Sequence, residues 1–165
     1  MDVPWLKTFR FAASVIKEDD YAKLTDFIVE LKNDEGDKIA IQASKELVVE
    51  DKVFHKPVRI DLTRSAKIEF HRCVFEKSLS FDPHGAKPVK NVQIFLFKTA
   101  INEGLYVHRT AAYEEINIDT SLMRAFVMTE VEVDNLEFYK SDISEIYFPS
   151  STVIGTHVDE TAIIS

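Results

Sequence analysis

The chain has 165 residues, of which 45% are hydrophobic and 29% charged, a balance that is typical of one folded domain and excludes a disordered chain. No apolar run approaches the roughly 20 residues of a membrane helix, and the single cysteine, Cys73, excludes an internal disulfide and a multi-cysteine metal site. The net charge of −8 divides into −4 for residues 1–50, +5 for residues 51–98 and −9 for residues 99–165. Since no basic region followed by an apolar stretch opens the sequence, we expect a cytoplasmic protein.

The first 50 residues predict a segment that caps one end of the fold. Apolar residues spaced along one helical face precede a turn-forming stretch at residues 33–36 that would end a helix. The same region also alternates as a hairpin that turns at residues 33–37 and returns through Ile39 and Ile41. The pattern favours the helix, and the hairpin stays open for residues 20–41. The helical face consists of Tyr21, Leu24, Phe27, Ile28 and Leu31.

A short apolar motif repeats between residues 58 and 107, with two inward positions flanking one outward residue. Successive motifs lie five or six residues apart, interrupted by a loop at residues 82–88. The pattern also assigns Thr63 and Ser65 to inward positions. Steps of five and then six residues occur twice, which predicts equivalent positions in successive coils. In this correspondence Phe70, Phe75 and Phe81 match Leu96, Ile101 and Val107.

From Ala111 onward the repeat becomes strict, with eleven consecutive blocks of five residues. The first residue of each block is small or apolar, and the third is always apolar. Neighbouring side chains of an extended chain point to opposite faces, so each block places two inward residues around one outward residue. A helix would need an apolar period of about 3.6 residues. The period of five does not fit a helix, and the alternation within each block predicts a strand. The third residues are Tyr113, Ile118, Met123, Met128, Val133, Phe138, Ile143, Phe148, Val153, Val158 and Ile163.

In these blocks the chain resembles the pentapeptide-repeat family, whose blocks carry a small residue at the first position and Leu or Phe at the third. The resemblance covers about residues 58–165 and implies an all-β fold, a right-handed parallel β-helix of about five coils with four blocks in each. Larger residues such as Ile116 and Phe126 at the first position depart from the family pattern and imply a less regular coil. We predict one domain, with a capping segment at 1–50 and the β-helix at 51–165.

No motif for catalysis or cofactor binding stands out, and we expect neither an enzyme nor a cofactor. The five histidines lack the spacing of metal ligands, and four glycines are too few for a phosphate-binding loop. Cys73 fits a buried structural position. The alternative is a small carbohydrate-active β-helix. The histidines are His55, His71, His84, His108 and His157, of which His84 lies in the one Gly/Pro-rich loop after residue 50.

Acidic residues in the last third of the chain predict a surface for a protein partner. Their like charges are expected to repel one another between coils. The family resemblance implies a more specific alternative, in which this surface imitates duplex DNA and binds a type II topoisomerase. Direct binding of nucleic acid is not expected at this net charge. The candidate acids are Glu130, Glu132, Asp134, Glu137, Asp142 and Glu145.

The repeat reaches the last residues without a capping sequence, which predicts either further chain beyond it or a second subunit covering the last coil. A homodimer with twofold symmetry is the simplest closed arrangement. Its contact would involve Val158, Ile163 and Ile164. We therefore interpret the chain as a non-catalytic interaction or scaffolding solenoid with a protein partner of unknown identity.

Overall fold

The computed structural model describes residues 39–43, 45–83, 89–108 and 111–163. They form a right-handed parallel β-helix of about five coils, which confirms the predicted fold class. The choice between helix and hairpin at residues 20–41 lies almost entirely outside the described residues, as does most of the predicted cap. Within the described ranges, no helix is long and apolar enough to cross a membrane.

The described part of the chain contains sixteen strands. In chain order they are β1 (Ile39–Gln42), β2 (Glu46–Glu50), β3 (Val53–Phe54), β4 (Val58–Leu62), β5 (Lys67–His71), β6 (Val74–Phe75), β7 (Ser78–Pro83), β8 (Val89–Phe97), β9 (Ala100–Ile101), β10 (Gly104–Val107), β11 (Ala111–Asp119), β12 (Leu122–Met128), β13 (Glu132–Tyr139), β14 (Asp142–Tyr147), β15 (Thr152–Asp159) and β16 (Ala162–Ile163).

The strands stack in two sheets, and each described pair of neighbours is parallel. The six-strand sheet has the order β15-β13-β11-β8-β5-β2, so each strand lies beside its equivalent in the next coil. The remaining strands form the ten-strand sheet, in which β12 and β14 each span two rows. β1 and β2 pair with β4 and β5, so both strands stack on the solenoid, although they lie within residues 1–50, which the sequence pattern assigned to the cap.

Each regular coil has four sides. In the six-strand sheet the paired positions of β11 and β13 skip Glu114 and Asp134, and the strands bend there; side 1 precedes this bend and side 2 follows it. In the ten-strand sheet the pairing of β12 with β14 skips Arg124 and Ser144. Side 3 precedes that bend and includes β3, β6, β9 and β16, whereas side 4 follows it and includes β1, β4, β7 and β10.

Two sharper turns connect the sheets, and non-glycine residues in the left-handed region occupy them. Their φ angles lie between 46° and 54°. A left-handed residue reverses the chain direction locally, at a steric cost that residues with a Cβ pay and glycine avoids. These residues are Asp51, Arg72, Lys98, Thr120, Lys140 and Glu160 between sides 2 and 3, with Glu130 and Ser150 between sides 4 and 1.

Hydroxyl groups just after these turns explain why Ser and Thr recur at the first block position. The backbone N–H of Thr99 donates to Ser121 Oγ at 3.1 Å, and that of Ser121 donates to Ser141 Oγ at 3.2 Å. Ser121 Oγ in turn donates to the carbonyl oxygen of Asp119 at 2.8 Å. The hydroxyls therefore satisfy backbone groups where the chain leaves one sheet for the other.

The interior is filled by the predicted inward residues, and the third block positions from Tyr113 to Ile143 are buried. The assignment of Thr63 and Ser65 to inward positions is wrong: both are exposed, because they lie between β4 and β5, where the chain forms no strand. The predicted correspondence of two coils is confirmed by the register of the strands. Phe70 pairs with Leu96, Phe75 with Ile101, and Phe81 with Val107.

Candidate protein-binding face

The outer surface of the last three strands of the six-strand sheet concentrates negative charge. Strands β11, β13 and β15 are neighbours and contain seven acids but neither Lys nor Arg. Each of these acids is exposed or half-buried. We call them the acidic face: Glu114, Glu115, Asp119, Glu132, Asp134, Glu137 and Asp159.

Within the acidic face, the register places neutral residues beside the acids. Glu115 pairs with Asn135, and Glu132 lies between Ala112 and Thr152. At the end of the strands, Tyr139 separates Asp119 from Asp159. Repulsion between acids in adjacent coils was expected; at these paired positions an acid faces a neutral residue, whereas Glu114 and Asp134 occupy equivalent positions of adjacent coils at the bend.

Glu137 is held in place by three hydrogen bonds. Its Oε2 accepts from Asn117 Nδ2 at 3.0 Å and from the Tyr139 hydroxyl at 3.1 Å, and its Oε1 accepts from Asn135 Nδ2 at 2.8 Å. The ring of Tyr139 also contacts that of His157, with 5.2 Å between centroids. Partial burial and the Glu137 carboxylate raise the pKa of Tyr139, which keeps the phenol a hydrogen-bond donor. Its neighbours therefore hold this carboxylate in one orientation.

The six acids singled out from the sequence do not share one surface. Glu132, Asp134 and Glu137 belong to the acidic face, and Glu130 is exposed at the turn that precedes β13. Glu145 is exposed in β14 of the other sheet.

Asp142 requires a correction, because its side chain is only 4% exposed and does not lie on an open surface. It occupies the side-3 position equivalent to Leu122, where outward residues are buried. Whether any of these acids binds a partner stays a prediction.

Four residues of the acidic face were missed by the sequence reasoning. Glu114, Glu115 and Asp119 lie in β11, one coil before Asp134, and Asp159 lies one coil after Tyr139. The signal that could have found them is the spacing of 20 residues, which places Glu115, Asn135 and Gly155 in one row. Grouping acids by their place along the chain joined residues of different sheets.

The last described coil exposes apolar side chains. Val158 is 49% exposed, although its equivalent in the preceding coil, Phe138, is 2% exposed. Ile154, in the same strand, is 69% exposed. Of the other predicted contact residues, Ile163 pairs through β16 with Ile143, and Ile164 lies outside the described residues.

The histidines and other residues that could bind a metal or take part in catalysis are dispersed over the structure. His55 Nδ1 lies 2.8 Å from Glu76 Oε2, His71 and His108 are half-buried, and His157 is exposed. His84 lies outside the described residues. Among the residues that the structure describes, no three His, Cys, Asp or Glu side chains are grouped as a metal site.

Cys73 is buried, as predicted, and its Sγ lies 3.5 Å from the carbonyl oxygens of Val49 and His71. Burial raises the pKa of its thiol to about 12, so the reactive thiolate is scarce at neutral pH. A structural role for this side chain follows from its position.

No protein-family model, no curated protein and no solved structure matches the chain.

Proposed function

We propose that the chain is a non-catalytic interaction module whose acidic face binds a basic surface of a protein partner. The observation that carries this proposal is the one-sided charge of strands β11, β13 and β15, which contain seven acids and no Lys or Arg. Such a surface attracts a basic partner over a distance and excludes acidic ones. The charge of the face would supply the specificity of binding, and the stacked coils would keep the surface rigid.

Order within the face supports the same proposal. Because three hydrogen bonds already fix Glu137, and its neighbours lie on paired strands, little conformational entropy is lost when a partner binds. Exposed acids at the rim would be screened by salt, so the association rate should fall as ionic strength rises.

The experiment compares two variants with the same change in net charge. The first neutralises Glu115, Glu132, Asp134 and Asp159 to the matching amides. The control neutralises four exposed acids elsewhere: Glu46, Glu50, Glu103 and Glu145.

Proteins that co-purify from the native host are quantified for wild type and both variants, and the affinity of the main partner is then measured at low and high salt. We expect the face variant to bind at least about tenfold more weakly and the control to bind like wild type. Equal affinity of wild type and the face variant would contradict the proposal, and equal loss in both variants would assign the effect to net charge alone.

A more specific form of the proposal assigns the chain to the pentapeptide repeats and its face to imitation of duplex DNA. It is supported by the seven acids of β11, β13 and β15, strands that stack about 4.8 Å apart along the axis of the solenoid. The partner would then be a type II topoisomerase. Inhibition of DNA supercoiling by wild type and by the control, but not by the face variant, is the expected result. A wild-type protein without any inhibition would remove this form and leave the general proposal standing.

We also propose that two copies associate through the last coil, supported by the exposure of Val158, whose equivalent in the preceding coil, Phe138, is buried. An apolar surface of this kind is stabilised when it is covered. Light scattering at micromolar concentration should give twice the monomer mass for wild type and the monomer mass for Val158→Glu. A monomeric wild type would contradict the contact.

A further inference from the structure

One edge of the six-strand sheet ends on a strand that has a neighbour on one side only. Within the described residues, β15 pairs with β13 alone, so its other edge presents backbone N–H and C=O groups. The inward side chains of this strand are uncovered as well. Thr156 and Val158 are exposed, whereas their equivalents one coil earlier, Leu136 and Phe138, are each 2% exposed. A further strand at this edge would pair the backbone groups and cover the inward side chains.

The backbone groups at this edge of β15 belong to its inward residues. The outward residues bond the preceding coil, because the N–H of Thr152 donates to the carbonyl oxygen of Val131, and the carbonyl oxygen of Asp159 accepts from the N–H of Lys140. Alternate residues of a parallel strand direct their backbone groups to opposite neighbours. The groups that remain for a new neighbour are therefore those of the inward residues Ser151, Val153, Thr156 and Val158.

The bend of β15 restricts how this strand can pair with a second copy of itself. The register with β13 skips Ile154, which places the bend there. A twofold axis between Ile154 and Gly155 puts bend against bend and inward residue against inward residue, whereas an axis through Ile154 itself would pair inward residues with outward ones. In the first register, Val153 pairs with Thr156 of the partner subunit, and Ser151 pairs with Val158 of the partner subunit. These four residues are the ones whose backbone groups point to the new neighbour.

We propose that two copies of the chain join by antiparallel pairing of β15 with β15 of the partner subunit, with the twofold axis between Ile154 and Gly155. This inference rests on the proposed association through the last coil and specifies its contact. The pairing gives the exposed Ile154, at the bend, an apolar neighbour, because the two copies of this side chain lie beside the axis. Each of them lies opposite Gly155 of the partner subunit, where the missing side chain leaves room for it.

The charges near the edge favour this arrangement over a head-to-tail stack of copies. Glu50 and Asp159 stand at the two ends of one row of outward residues that crosses all six strands. A head-to-tail stack would continue this row and place the two acids side by side, which destabilises a pair of strands. In the twofold register, Asp159 lies opposite Ser150 of the partner subunit, a neutral residue. The twofold contact also closes, whereas a head-to-tail contact generates filaments.

The pairing joins the six-strand sheets of the two copies into one continuous sheet. Strands β11, β13 and β15 of one copy then adjoin the same strands of the other, so the two acidic faces lie side by side across the axis. A basic partner with two binding surfaces would contact both faces at once and bind more tightly than to one face alone.

Disulfide cross-linking between two single variants of the full chain tests the register. Thr152 and His157 are exposed outward residues, and the register places Thr152 of one copy opposite His157 of the other. In such a pair the Cα atoms lie about 4.5 Å apart, which a disulfide can span. The same residue of the two copies lies five positions away along the strand, on the order of 12 Å, which is too far. An equimolar mixture of Thr152→Cys and His157→Cys should therefore form at least about tenfold more covalent dimer under mild oxidation than either variant alone. The native Cys73 is buried and does not compete.

Light scattering of wild type and both variants under reducing conditions separates the register from the association itself. A dimer whose mixture cross-links no better than the single variants would overturn the register and leave the proposed association standing. Efficient cross-linking of one variant alone would place the axis at residue 152 or 157 and would overturn the register too. A monomeric wild type would remove both proposals.

A charge placed beside the axis provides a second test without cysteines. Ile154→Asp brings two carboxylates together in the proposed register, so the dissociation constant of the dimer should rise at least about tenfold. The matched control is Tyr147→Asp, which replaces another exposed apolar residue in the other sheet and should leave the dimer unchanged. Equal dissociation constants for the two variants would overturn the register.

Discussion

The two halves of the six-strand sheet have the same parallel order but different outer surfaces. In the first half, Lys67 lies 3.8 Å from the Glu69 carboxylate and 5.3 Å from the ring centroid of Phe95, so its charge is balanced within the surface. In the second half, β11, β13 and β15 contain seven acids and neither Lys nor Arg. The first half therefore resembles an ordinary solvated surface, whereas the second carries charge of one sign.

The same two halves of the sheet also differ in the number of residues per coil. Ile68 pairs with Ile94, a spacing of 26 residues that includes the loop before β8, whereas Ile116 pairs with Leu136 and Leu136 with Thr156, spacings of 20 residues. Constant coil length keeps side chains in straight rows across neighbouring strands. A strict repeat therefore allows acids and neutral residues to be placed in a fixed pattern, which an interrupted repeat does not.

The largest effect should come from removing an aromatic side chain inside the regular half. Phe126 is buried and packs edge-on against Phe138 and Phe148, with centroid distances of 6.0 and 5.1 Å. We expect Phe126→Ala to lower the free energy of unfolding by about 3–5 kcal/mol, because it leaves a cavity. Phe148→Ala, in the half-buried last turn, should cost about half as much. Urea denaturation measures both, and equal losses would contradict the graded burial of the last coil.

A pH titration tests the one place where a thiol replaces the hydroxyl of the turn. Cys73 occupies the position equivalent to Thr99 and Ser121. The pKa of its thiol rises from 9.0 to about 12 in the folded chain. The unfolded chain therefore loses this proton first, and stability that is fully present below pH 9 decreases as the pH rises toward 12.

Between pH 8 and pH 10, the free energy of unfolding of wild type should therefore fall by about 1 kcal/mol more than that of Cys73→Ser. The serine variant should retain the turn, because Ser121 already bonds the carbonyl two residues earlier in this position. Parallel pH profiles of the two proteins would contradict the assignment.

Removing the ordered carboxylate of the acidic face should have a smaller effect. Glu137→Ala leaves Asn117, Asn135 and Tyr139 without their shared acceptor, and we expect a loss of about 1 kcal/mol because water replaces it only partly. Glu132→Ala, at an exposed position, should change stability by less than about 0.5 kcal/mol. Thermal unfolding compares the two, and an equal effect would show that Glu137 is not held by its neighbours.

The smallest effect concerns the sharp turns. Lys140 is exposed with φ at 46°, where glycine avoids the contact of a Cβ. Lys140→Gly should raise the free energy of unfolding by about 0.5 kcal/mol, whereas Ala112→Gly, in strand β11, should lower it by a similar amount. Chemical denaturation checks both signs. A loss in both variants would contradict the left-handed turn.

The sequence predicted the inward residues well because one physical rule, alternation in an extended chain, governs them. It did not predict the buried outward positions of Leu122 and Asp142, since alternation defines direction and not what lies beyond the side chain. It grouped Glu145 with Glu132 because both lie in one stretch of chain, although the turns assign them to different sheets. Stacking across coils requires the coil length, which the interrupted first half obscures.

The stacking register is the central claim, because the acidic face exists only if residues 20 apart lie side by side. Ala112 pairs with Glu132, and Glu132 with Thr152, on exposed positions of side 1. Neighbouring strands are about 4.8 Å apart, within the range of Cα separations that a disulfide spans, and two coil steps of roughly 9.6 Å exceed it. Under mild oxidation, Ala112→Cys/Glu132→Cys should form the bond in the folded monomer and Ala112→Cys/Thr152→Cys should not. Equal bond formation in the two variants would contradict the register.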